Sequence, residues 1–315
     1  KTVPAKDDPN AVGGLVLALQ SYDCLVALPE WEKIESPMQD SLKDALGSYA
    51  SSILGEETAA SETPLRIASL RLYAGLLTGA TAAALAALEG EEGNPGLDKL
   101  AIAEILPEGI VRDYSLPKQV EEGEAFFMAC AALRSGAPET FRRLEPAAKA
   151  MMELVRDLIY PTGHFPSVVR ERPLVENLVR FLERGVDLFG DPHAIEILNA
   201  LYKTHPRRAE SLLIADVPDA KGKTPAAIVR ALPQTGAAIL HDATADLPLS
   251  LFLDTGLSGE NRSSALLAIE WNASRREAVK RPDDIRTDHF NTLIIDRALQ
   301  PEDRKSTRLN SSHTI

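Results

Sequence analysis

The chain has 315 residues, 44% of them apolar and 25% charged, proportions that exclude a disordered tract, a collagen-like repeat and a disulfide-stapled miniature. Its 34 Lys and Arg against 46 Asp and Glu leave a net charge of -12, which repels nucleic-acid phosphates and anionic membranes and argues against a general polyanion binder. Cys24 and Cys130 stand far apart with no Cys or His at zinc spacing, so neither a metal site nor a disulfide framework is indicated.

The chain opens on Lys1 with no basic segment leading into an apolar core and a small-residue cleavage site, and so reads as a fragment or a processed form. From Ala11 to about Ala215 apolar residues recur at three- and four-residue spacing, and the segment is expected to be helical throughout. Leu72 to Leu88 is the longest uncharged run, but Ala dominates it and Gly75, Thr78, Gly79 and Thr81 interrupt it, so it predicts two packed helices rather than a membrane span. Further helices are expected over Glu121 to Arg134, Glu139 to Ile159, Pro173 to Leu188 and Pro192 to Tyr202, separated by Pro and Gly stops. No fixed-period repeat is present, which speaks against a TPR or HEAT solenoid.

Between His205 and Thr224 the helical pattern fails, and from Ala231 onward short strand-like runs take over. Strands are expected over Ala237 to His241, Leu247 to Asp254, Ala265 to Trp271, Glu277 to Lys280 and Phe290 to Asp296, with turn signals between them. Helices first and strands second predict an α+β protein of two domains, an all-α unit over residues 1-215 and an antiparallel β unit over 216-302. Residues 303-315 fit neither. Their run DRKSTRLNSSH resembles one reading frame of a common sequencing adapter and is expected to be foreign to the protein, which would then be cut at about Glu302.

No P-loop, GxGxxG, GxSxG, HExxH or EF-hand pattern occurs, which removes the usual support for nucleotide hydrolysis, dinucleotide redox, esterase and zinc-protease chemistry. His164, His193, His205, His241 and His289 have no partners at metal spacing and read as loop or packing residues. Arg142-Arg143, Arg207-Arg208 and Arg275-Arg276 read as solvated helix faces or ends. Glu121, Glu122 and Glu124 stand at the start of a predicted helix, where carboxylates complement the helix dipole.

Several stretches, in order, resemble the heparinase II/III-like family of polysaccharide lyases: Leu65 to Gly79 (LRIASLRLYAGLLTG), Ile105 to Gly109 (ILPEG), Tyr160 to Pro166 (YPTGHFP), Leu232 to Leu240 (LPQTGAAIL), Leu267 to Trp271, and His289 to Asp296 (HFNTLIID). The resemblance implies an (α/α) toroid of helical hairpins followed by a β-sandwich, here truncated, with an acidic polysaccharide held between them. The implied reaction is β-elimination of a uronate sugar, in which donors neutralise the substrate carboxylate while a tyrosine or histidine moves the proton.

Carried onto this chain, the family's Asn-His pair falls on Glu62 and Thr63, the tyrosine's register falls on Lys118 with Tyr114 the nearest phenol, and a His-x-His-x-Asp run falls on Glu260, Arg262 and Ser264. The expected site is therefore Tyr114 and His289 as catalytic groups, with Arg112, Arg262 and Glu62 against the substrate. Glu62 would repel a carboxylate. No cofactor, metal, nucleic acid or membrane insertion is expected. The family likeness implies a periplasmic or secreted protein. Two other readings stand beside it: a catalytically degenerate carbohydrate-binding member of the same fold, and a helical interaction scaffold.

Overall fold

The computed structural model describes residues 11-55, 62-91, 94-112, 115-159, 165, 172-208, 211, 214-215, 217-218, 227-233, 237-242, 249-254, 266-271 and 276-277. The chain is α+β, mostly helical, with two antiparallel sheets among the described residues. It divides into two compact units, Lys1–Leu154 with Pro173–Ala220, and Val155–Arg172 with Lys221–Ile315.

In the first unit, helix α1 (Ala11–Val26) is followed by a 3-10 turn (Pro29–Lys33) that sets Trp31 edge-on against Tyr22, ring centroids 5.6 Å apart. Helix α2 (Ser36–Ile53) buries only Leu46, Ala50 and Ile53. The long uncharged run forms two helices, α3 (Pro64–Thr78) and α4 (Thr81–Glu89). Thr63 caps the first by accepting the Arg66 N–H, Pro64 sits in its opening turn, and Gly79 ends it in the left-handed conformation at φ 75°. No helix among the described residues is long and apolar enough to cross a membrane.

A two-residue strand pair, β1 (Gly90–Glu91) and β2 (Asn94–Pro95), leads into α5 (Leu97–Glu104). Next comes the longest buried element. Helix α6 (Leu116–Gly136) starts at the Ser115 cap, and its residues 122–130, Glu122 and Glu124 among them, are buried without interruption, so it is enclosed on every side rather than along one stripe. Around it pack α3 and α8 (Val175–Phe189), with Phe127 and Phe181 stacked at 4.8 Å. Helices α7 (Pro138–Leu158) and α9 (Pro192–Tyr202) complete the described helices, the latter capped by Asp191 accepting from the Ala194 N–H.

The segment joining α5 to α6 is held from beneath. Ile105 and Val111 form an isolated antiparallel bridge, and the buried Gln119 side chain donates to the Gly109 carbonyl at 2.7 Å and accepts the Val111 N–H at 2.9 Å. Gly109 has φ 87°, and a Cβ there would stand 2.1 Å from the Ala150 carbonyl oxygen. Gly109→Ala therefore meets both a backbone conformation that L side chains avoid and a backbone collision, and is expected to cost about 2 kcal/mol or more of unfolding free energy in a urea titration.

The second unit carries a five-stranded antiparallel meander in chain order: β3 (Ala227–Leu232), β4 (Ala237–Asp242), β5 (Leu249–Asp254), β6 (Leu266–Trp271) and β7 (Arg276–Glu277). The register pairs Ala227 with Asp242, Ala237 with Asp254, Leu249 with Trp271, and Glu270 with Glu277. Asp157, at the end of α7, takes Arg156 at 2.7 Å and Arg230 at 2.9 Å on its carboxylate, while the Asp157 carbonyl accepts from His241 Nε2 at 2.7 Å. His241 is thus a buried packing histidine, and burial pushes its pKa down. The predicted strand Phe290 to Asp296 and the tail 303-315 lie outside the described residues.

Candidate functional site

Among the described residues, clefts indent the helical unit, and two of them are lined by charged groups. The larger, about 970 Å³, runs between α2, α3 and the start of α4 and is walled mainly by small residues such as Gly47, Ser48, Ser51 and Ala80. Its charged groups are Lys43, Asp44 and Arg71, and Arg71 donates to the Leu54 carbonyl at the end of α2. Size does not decide function here, because no set of acid and base groups converges in that cleft.

Convergence occurs in the smaller cleft, about 390 Å³, where the start of α3, the end of α5, the loop after it and the first turns of α6 meet. Glu62, Arg66, Glu104, Arg112, Lys118, Glu121 and Glu122 all reach it. Arg112 is set on the wall by its backbone N–H donating to the Glu104 carbonyl at 2.9 Å and by its Nε donating to the Ala103 carbonyl. The bridge at Ile105 and Val111, locked by Gln119, fixes the loop that carries it. Lys118 enters from α6 because Ser115 starts that helix three residues earlier.

Glu62 does not stand there as a bare charge. Arg66 donates Nη1 to Glu62 Oε2 at 2.8 Å and to Glu121 Oε2 at 3.2 Å, so one guanidinium serves two carboxylates. The expected repulsion of a substrate carboxylate by Glu62 is thereby reduced. From Glu121 the polar contacts continue through the interior. Asn177 donates to Glu121 at 3.4 Å, Arg180 donates to Asn177 at 2.9 Å and to Glu124 at 2.7 Å, and Gln20 donates to Glu124 at 2.8 Å. This chain of contacts links α3, α6, α8 and α1.

The three glutamates of α6 therefore do not complement the helix dipole, because α6 begins at Leu116 and its first turn holds no acidic residue. They occupy its second and third turns, where each does something different. Glu121 and Glu124 are ion-paired, whereas Glu122 is 1% exposed and its nearest cation is Lys118 Nζ at 3.9 Å. The Thr63 hydroxyl is the one hydrogen-bonding group beside its carboxyl among the described residues, and neither oxygen has a partner of full hydrogen-bond geometry. Burial pushes its pKa up to about 7, with Glu104 adding to the rise, while Thr63, Lys118 and Arg66 favour the charged form without offsetting the desolvation. A carboxyl that is half protonated near neutral pH inside a cleft is equipped to give or take a proton.

Of the five residues expected from the sequence, Glu62 and Arg112 come together on this cleft. Tyr114, Arg262 and His289 lie outside the described residues, as do Glu260 and Ser264. Sequence reasoning missed Arg66, Lys118 and Glu122 as site residues. The signal that could have found Lys118 and Glu122 is Ser115-Leu-Pro-Lys118, a cap followed by proline in the opening turn, which starts α6 five residues before the predicted helix. Among the described residues no three His, Cys, Asp or Glu side chains stand together as a metal site.

The fold and the cleft define a helix-rich α+β chain with an internal acid and base cluster in its helical unit. No protein family, curated protein or solved structure matches the chain.

Proposed function

We propose that this chain is a polysaccharide lyase-like protein that acts on uronate-containing polysaccharide by β-elimination, with its helices arranged as an (α/α) toroid and its strands opening a β-sandwich. The observation that carries the reading is the meeting of Arg112 and Glu62 on one cleft of the helical unit, with Lys118 beside them and Arg66 compensating Glu62. β-Elimination breaks the C5–H bond of the uronate, forms a C4–C5 double bond and expels the glycosidic oxygen. As the proton leaves, negative charge accumulates on the C5 carboxylate, and cations aimed at that group lower the barrier. Arg112 and Lys118 supply that charge, and Tyr114, two residues beyond Arg112 in the chain, takes the C5 proton and returns one to the leaving oxygen. His289 and Arg262 belong to the same reading and lie outside the described residues.

One observation favours the second reading, a carbohydrate-binding member without elimination. Four glutamates and three cations reach the cleft, so its described wall is close to charge balance rather than strongly positive. Arg112→Met separates binding from its absence. In calorimetric titration with oligomers of glucuronate, mannuronate and galacturonate, loss of this guanidinium is expected to weaken binding about tenfold or more. Neutral oligosaccharides of the same length should show no such change. Uronate binding without an unsaturated product supports the second reading, and equal affinity for charged and neutral sugars overturns both.

A further inference from the structure

Glu122 is the group in the cleft that the elimination reading leaves unused. It reaches the cleft wall yet is 1% exposed, and its carboxyl has only the Thr63 hydroxyl and the Lys118 ammonium at 3.9 Å beside it, with no partner of full hydrogen-bond geometry. The charged neighbours among the described residues can be named. From the start of α3 come Glu62 and Arg66, which are already paired with each other; from α5 comes Glu104; from the loop comes Arg112; and from α6 itself come Lys118 and Glu121. Arg66 is shared between Glu62 and Glu121, and Lys118 pairs with Glu122 at 3.9 Å, so protonation of Glu122 leaves Lys118, together with Arg112, to meet a ligand.

We infer that the cleft receives the carboxylate of an acidic sugar on the protonated carboxyl of Glu122, flanked by Lys118 and Arg112, so that binding draws one proton from solvent. The inference rests on the acidic-sugar reading above and adds the protonation state in which the site works. A ligand carboxylate brought against the buried Glu122 disfavours its charged form further, so Glu122 takes the proton. Protonated, Glu122 offers an O–H to a ligand oxygen, a donor that the ionised carboxylate does not have. The proton comes from bulk water and returns there on release, so no redox or covalent step is involved. Its affinity for a proton without ligand already lies near neutrality, so the requirement is easily met.

The test is calorimetry of the whole chain with a glucuronate oligomer at pH 8, in two buffers of different ionisation enthalpy. The expected result is a buffer-dependent heat that corresponds to nearly one proton taken up per ligand. Affinity is expected to fall about tenfold per pH unit above pH 7. Glu122→Gln should bind with the same heat in both buffers and with little pH dependence. The wild-type buffer comparison needs no variant, so the outcome does not depend on how the variant folds. Uronate binding with equal heats in both buffers overturns the inference and leaves the functional reading in place. Failure of glucuronate, mannuronate and galacturonate oligomers alike to bind overturns both. Proton release on binding of a glucosamine oligomer, with no uronate bound, shows an ionised Glu122 receiving a cation and likewise overturns the inference.

Discussion

Arg180→Met is expected to cost about 3 kcal/mol or more of unfolding free energy, among the largest effects of a single polar side chain in the helical unit. Arg180 holds Glu124 at 2.7 Å and Asn177 at 2.9 Å, and Glu124 is 5% exposed at the centre of α6. Removing the guanidinium leaves a carboxylate buried with Gln20 alone as donor, and it is this stranded charge rather than the lost contact that dominates the cost. The double variant Arg180→Met with Glu124→Gln removes the charge while keeping a side-chain oxygen for Gln20. It should recover about 2 kcal/mol of the loss. Urea titrations of the wild type, both single variants and the double variant close the cycle, and a double variant no more stable than Arg180→Met would contradict a charge-based cost.

The second large effect is a pH dependence. Glu122 has its ordinary value of 4.5 in the unfolded chain and about 7 in the folded one, so the folded state holds the extra proton between those two values. Stability from this group is fully present below pH 4.5, declines as pH rises through that window and is gone above about pH 7. A shift of this size corresponds to about 3 kcal/mol. Glu183 is also raised by burial and acts in the same direction, so the wild-type curve alone does not isolate Glu122. The difference between wild type and Glu122→Gln does. Relative to the wild type, Glu122→Gln should be about 3 kcal/mol more favourable at pH 8 than at pH 4. A difference that stays constant from pH 4 to pH 8 would mean that Glu122 is solvated and ionised throughout.

Much of the architecture was legible because its signals are local. Pro192–Tyr202 is bounded in sequence by an Asp191 cap with proline behind it, and the structure places the helix at the same residues. The strands Ala237–Asp242, Leu249–Asp254 and Leu266–Trp271 stand out as short apolar runs between turn residues, and each lies within a residue or two of its expected limits. Strand Ala227–Leu232 was not anticipated. Its AIVRAL follows a stretch rich in Pro, Gly and charge, and its alanines carry little strand preference, so only pairing with Ala237–Asp242 identifies it.

The site was less legible for a different reason. Placing Glu62 and Arg112 required only colinear similarity of short motifs. The roles of Glu121, Glu122 and Glu124 depend on burial, and nothing in the sequence of a helix buried on every side announces that one glutamate finds Arg66, another finds Arg180 and the third has only Thr63 and a more distant Lys118 beside it. Those pairings involve residues 55 or 56 positions apart in the chain, beyond the reach of any periodicity argument.

The proposed elimination at the cleft that holds Arg112, Lys118 and Glu122 is tested by following ultraviolet absorbance of the chain incubated with alginate, heparan sulfate and hyaluronan. A rise from the C4–C5 double bond is expected on at least one of these polymers, with the rate reduced about tenfold or more in Arg112→Met. A flat trace on all three, from protein that binds uronate oligomers by calorimetry, would contradict elimination and leave a binding site in its place.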